Sequence, residues 1–144
     1  MVAQVVIDCE SAYYLFIARE WPVHRWAHTF LAASLIGLAV GWAVWAVGRR
    51  LGWVGKEPTS LSEVAFWPCI AGGLLGGASH PFLDGIMHQD IEPLRPFSAE
   101  NPFLGLIGVG SLHLLCSVAG VLGVILLMVR SAGSGTGRGS GASD

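Results

Sequence analysis

The stretch HTFLAASLIGLAVGWAVWAVG, residues 28–48, contains no Asp, Glu, Lys or Arg. As a helix rising 1.5 Å per residue it reaches about 30 Å, the hydrocarbon thickness of a bilayer. It stops at Gly48-Arg49-Arg50, a glycine followed by two cations suited to the interface. A soluble chain of 144 residues would need more polar surface than 12% charged residues against 53% hydrophobic ones can supply. The chain therefore reads as a membrane protein of one domain. The net charge of −2 and the lack of a basic block argue against a nucleic-acid partner.

Two further apolar runs follow. VAFWPCIAGGLLGGAS, residues 64–79, is short for a span, and Gly72, Gly73, Gly76 and Gly77 leave one side bare for helix packing. FLGLIGVGSLHLLCSVAGVLGVILLMV, residues 103–129, is long enough to cross with tilt. VAQVVIDCESAYYLFIA, residues 2–18, is apolar with Asp8 and Glu10 inside it. It is read either as the end of another helix or as a segment at the interface. The expected fold is an all-α integral membrane helical bundle: three spanning helices plus an N-terminal helical segment. Residues 1–130 form the membrane domain, and 131–144, SAGSGTGRGSGASD, a disordered Gly/Ser-rich tail. Residues 49–63 form a polar linker. Pro93, Pro96 and Pro102 make 89–102 an irregular loop. The start, MVAQVVIDCE, lacks the basic region and cleavage site of a signal peptide. With three spans, Arg49, Arg50, Lys56, Arg130 and Arg138 share one side and Arg19, Arg25 and Arg95 the other, a bias that puts the first group in the cytoplasm. Trp21, Trp26, Trp53 and Trp67 flank the spans as an aromatic belt, and Glu20, Glu57 and Glu63 read as solvated surface. Cys69 and Cys116 lie in apolar runs and Cys9 between two acids. An odd number without CxxC spacing points to small packing residues.

The ionisable residues are not scattered. His24 and His28 precede the first span, and His80, Asp84, His88 and Asp90 follow the second. Successive spans run antiparallel, so these residues meet at one membrane face, within reach of Asp8 and Glu10. His24 and His28 are spaced i, i+4, and His80, Asp84 and His88 repeat that spacing, so each set lines one helix face. Imidazoles and carboxylates on two neighbouring helices make a divalent metal site, with zinc the first choice and manganese or iron as alternatives. The blander alternative is a set of interfacial polar residues solvated by headgroups. Pro81 should kink or restart the second helix. His113, alone in the third run, reads as a hydrogen-bonded core or interhelical histidine, with a ligand or proton relay as the alternative.

HRWAHTFLAA and SHPFLDGIMHQDIEPLRPF resemble the two histidine motifs of the LexA-regulated, YdjM-like family of membrane-bound metal-dependent hydrolases. VVIDCESAYYLF is similar to that family's first, acidic motif, and the likeness covers roughly residues 5–105. Its anchors are His24, His28, His80 and Asp84, with Asp8 and Glu10 at the acidic positions. Ile7 stands where proline is usual, Trp26 where a small residue is common, and His88 near a frequent threonine. The family pattern also leads to the expectation of an apolar helix before the first motif, so the chain reads as a fragment or a shortened member.

The resulting expectation is a hydrolase in a prokaryotic cell membrane. His24, His28, His80, Asp84 and Asp8 would hold the metal, which lowers the pKa of a water molecule. Glu10 or Asp90 would accept its proton, and Arg25 or His88 would stabilise the oxyanion. A site at headgroup level implies the lipid bilayer as environment and a lipid-like ester or phosphoester as substrate. Two alternatives remain: a non-catalytic metal-binding or ion-translocating membrane protein, and a structural protein whose polar ends cap its helices.

Overall fold

The computed structural model describes residues 1–52 and 66–135, the last five by their backbone. Trp53, Lys56, Glu57, Glu63, Arg138 and the tail beyond Gly135 lie outside the described residues. Among those described, the chain is all helical and has no strand. Its helices are α1 (Val2–Ala12), α2 (Phe30–Arg50), α3 (Phe66–Met87) and α4 (Val109–Gly135). Residues 1–106 form one compact unit and the segment from Ile107 a second.

The N-terminal segment is a helix packed on α2 and α3. Ala3 and Ile7, one turn apart, are its buried positions. It continues into a π-helical turn, Tyr13–Ala18, and ends at Arg19 in the left-handed region, φ 55°. A 3-10 turn, Trp26–His28, leads into α2. The Thr29 hydroxyl caps α2 by accepting the N–H of Ala32 at 3.1 Å and donates to the Trp26 carbonyl at 2.9 Å.

Small residues bring α2 and α3 together. Side chains built at Gly37, Gly41, Gly73 and Gly77 would collide with the carbonyls of Gly73, Cys69, Gly37 and Ala33 respectively. Residue number rises along one helix as it falls along the other, so the pair is antiparallel. The start of α2 therefore lies beside the end of α3. Gly72 and Gly76 are different: a Cβ there meets nothing within 4 Å. Only half of the glycine run expected to pack does so, and Gly37 and Gly41 supply the opposing half.

The loop after α3 is tied to that same end. The Phe30 N–H donates to the Pro93 carbonyl at 2.9 Å, satisfying a donor left free at the helix start. The Asn101 amide donates to the carbonyls of Gly85 and His88, at 2.8 and 3.2 Å, and so caps α3. Phe103 lies between the rings of Phe30 and Phe82. Ile91 and Pro93 are fully buried.

Three expectations change. Two helices, Phe30–Arg50 and Val109–Arg130, are apolar and long enough to cross a membrane among the described residues. α3 has 22 residues but is not one of these two helices, so a third span is not established. α3 also runs through the buried Pro81 without restarting. The last helix starts at Val109, because Gly105 adopts φ +72° and donates to the Ile86 carbonyl at 3.1 Å. It extends through Gly135, into the stretch expected to be irregular. Within α4, the His113 Nδ1 bonds the Val109 carbonyl one turn earlier, at 2.7 Å.

Gly37→Val or Gly73→Val should destabilise the detergent-solubilised protein by about 1–3 kcal/mol or more, since a backbone carbonyl cannot yield as a side chain does. Gly72→Ala and Gly76→Ala should leave stability unchanged or raise it, because alanine is the better helix former. Denaturant unfolding of the four variants checks both halves.

Candidate metal centre

The antiparallel pairing puts the 3-10 turn before α2 against the last two turns of α3, with α1 alongside. Glu10 organises the turn. Its Oε2 accepts the backbone N–H groups of Arg25 and Ala27, at 3.2 and 3.0 Å. The same oxygen lies 3.4 Å from His28 Nδ1. Donation of the Nδ1 proton to that carboxylate leaves Nε2 with its lone pair. His28 is fully buried. Burial lowers its pKa, and the neighbouring His24 adds to the effect, against the bond from Glu10. A neutral imidazole is the form that ligates metals.

His28 Nε2 faces two aspartates, Asp8 at 3.6 Å and Asp84 at 3.9 Å. The Ser11 hydroxyl is also near, at 3.4 Å. His80 Nε2 is 3.2 Å from Asp8 Oδ1 and 3.2 Å from Asp84 Oδ2. This nitrogen is buried, yet neither carboxylate is aligned to hydrogen-bond it. Buried polar atoms seldom lack partners. Atoms that converge on a common centre, without aiming at one another, are arranged as ligands are. A tetrahedral ion bound at about 2.0–2.1 Å would hold adjacent ligand atoms about 3.3–3.4 Å apart. The two His80 separations lie close to that value. Ligand atoms of Asp8, His28, His80 and Asp84 all fall within 4.8 Å of one another, and this group could hold a metal ion.

His24 lies beside this group without belonging to it. Its ring is 4.7 Å from that of His28 and 4.5 Å from that of His88. With Asp84 and His88 it forms a second set whose ligand atoms lie within 4.8 Å. His24 Nδ1 bonds Asp90 at 2.9 Å. Asp90 Oδ2 also accepts the backbone N–H groups of Val23 and His24, both at 3.2 Å. Burial would raise the Asp90 pKa, but the bonds from His24 outweigh it and hold the carboxyl below its ordinary range.

All nine expected site residues lie in this unit. Asp8, His28, His80 and Asp84 come together, His24 and His88 adjoin them through Asp84, and Glu10 and Asp90 grip the two leading imidazoles. Arg25 stands further out, held by Glu20 at 2.9 Å and stacked on Tyr14. A cavity of about 490 Å³ opens there, lined by His24, Arg25, Trp26, Asp90, Glu92 and Arg95. Ser11 and Asn101 escaped the sequence reading. Ser11 lies one turn beyond Ile7 on the buried face of α1, which was a usable signal. Nothing in the sequence marks Asn101.

The profile of a family described as YdjM inner membrane protein matches residues 7–138. The chain belongs to that family. No curated protein and no solved structure matches it. The family description and the two apolar helices agree with an integral protein of a prokaryotic membrane.

Asp90→Asn should destabilise the protein relative to wild type at neutral pH. The sign follows from the depressed carboxyl: its contribution is complete above the ordinary carboxylate value, 3.8, and is lost as pH falls through the lower folded value. Stability measured for both proteins down a pH series should therefore converge only in strong acid. A gap that closes nearer neutrality would assign it to another group.

Proposed function

We propose that the protein is a metal-dependent membrane hydrolase acting on an ester or phosphoester with lipid-like character. The observation that carries the reading is the buried His80 Nε2, without an aligned hydrogen bond and 3.2 Å from a carboxylate oxygen of Asp8 and of Asp84, with His28 alongside. Ionisable groups kept inside an apolar helical protein cost energy and are usually retained for function. The donor set, two imidazoles and two carboxylates, suits zinc first, with manganese or iron as alternatives.

A divalent ion held there would supply Lewis acidity and, by taking a water molecule in addition to these four residues, would lower the pKa of that water to about 7. Asp8, His28, His80 and Asp84 bind. Glu10 and Asp90, expected as proton acceptors, take a different role in this reading. Glu10 Oε2 and both Asp90 oxygens accept from backbone N–H groups or lie against His28 and His24, so the two carboxylates fix ring orientation. The Asp90 carboxyl, held below its ordinary range by His24, is also a weak base. Such outer partners tune the ligands they touch. Arg25 lines the cavity and would stabilise negative charge on the substrate. Hydrolysis adds water across the ester, leaving an acid and an alcohol that receives the proton. Trp26, on the cavity wall, is 59% exposed, and Trp21 and Phe97 are more so. Exposed aromatic rings sit well at the headgroup level, where an amphiphilic substrate would present its polar end.

His80→Ala and Asp84→Ala should each abolish bound metal and the turnover of chromogenic carboxyl esters and phosphodiesters, read by elemental analysis and absorbance on purified protein. Unchanged metal content in both variants would remove the proposal. Metal lost without any wild-type turnover would instead favour the non-catalytic metal-binding protein.

A further inference from the structure

We infer that a second divalent ion binds at His24, Asp84 and His88, with Asp84 bridging two ions. The inference rests on the reading of Asp8, His28, His80 and Asp84 as a metal site. The two groups of ligand atoms share Asp84 alone. A carboxylate has two oxygens and can give one to each ion.

The orientation of His24 supports the second position independently. Its Nδ1 is occupied by Asp90, whose side chain is 6% exposed. Donation there leaves Nε2 as the free lone pair. A carboxylate behind an imidazole is the usual device for aiming a metal ligand. His28 has the same device in Glu10, at 3.4 Å. Two leading imidazoles each carry their own backing carboxylate, and they belong to different groups.

Charge points the same way. Asp8, Glu10, Asp84 and Asp90 bring four carboxylates to four imidazoles, and imidazoles must be neutral to ligate. One dication leaves half of that negative charge uncompensated in a partly buried site, whereas two balance it. Three protein ligands also leave the second ion an open position, as catalytic sites require. His24 lines the cavity that Arg25 and Arg95 share, so the open position belongs to the ion nearer that cavity. Paired ions clamp the attacking and leaving oxygens of phosphoryl transfer. Guanidinium groups are suited to phosphate oxygens. The substrate class narrows to phosphoesters.

The test is zinc stoichiometry on full-length protein in detergent, loaded, desalted and read by elemental analysis. Wild type should retain two ions per chain. His88→Ala and His88→Asn should retain one, with helicity unchanged by circular dichroism. A wild type holding a single ion that both variants keep overturns the second site and leaves the first standing. A wild type holding none overturns both. The wild-type count decides the question even where a variant fails to fold.

Discussion

The contact on which this structure depends is the meeting of bare backbone on α2 and α3. Gly37, Gly41, Gly73 and Gly77 let each helix rest on the other's carbonyls. In a bilayer the lipid tails are as apolar as leucine, so shape and close dispersion contact must hold two helices together. This contact also sets the register. Because Ala33 lies against Gly77, the turn holding His28 must lie against the turn holding His80. Ligand geometry tolerates about half an ångström, and a backbone seam without flexible side chains gives that precision.

The second demand is polar satisfaction. Bringing helices this close buries imidazoles, and each needs a defined proton. Glu10 and Asp90 come from opposite sides, one on α1 and one on the loop after α3, and each takes one ring nitrogen. The loop is fastened in turn by backbone and amide bonds at Phe30, Asn101 and Gly105. The site is thus held from three directions. The His80 Nε2, which has no aligned hydrogen bond, lies between the carboxylates of Asp8 and Asp84.

Much of this arrangement was legible in the sequence. Run length announced the helices, and antiparallel succession brought HRWAH to SHPFLD. The i, i+4 spacing held for His80 and Asp84 on α3, whereas His24 lies outside any helix and His28 in a 3-10 turn. The detail escaped where it depends on angle and not on composition. Nothing in GGLLGG says that Gly73 and Gly77 face α2 while Gly72 and Gly76 face outward. The grouping of ligands was also hidden, since His24 and His28 share a spacing yet separate into different sets through a tight 3-10 turn. The described part of α4 carries on past the apolar run, through Arg130 to Gly135. Two of the three expected spans, α2 and α4, are long and apolar enough to cross a membrane among the described residues, and the third is not established.

That last point connects fold to chemistry. A helix that crossed the membrane with full apolarity could not also present His80, Asp84 and His88 on successive turns. α3 carries His80 and Asp84 in its last turns, and α2 is the helix of the pair that is long and apolar enough to cross a membrane. The polar residues then fall where α2 begins and α3 ends. Exposed aromatic side chains at Trp21 and Trp26 stand at this same end. An apolar anchor, a rigid glycine seam and a polar terminus are therefore consequences of one antiparallel pair. The antiparallel pairing of these helices explains why the ionisable groups of the site collect at one end of the pair.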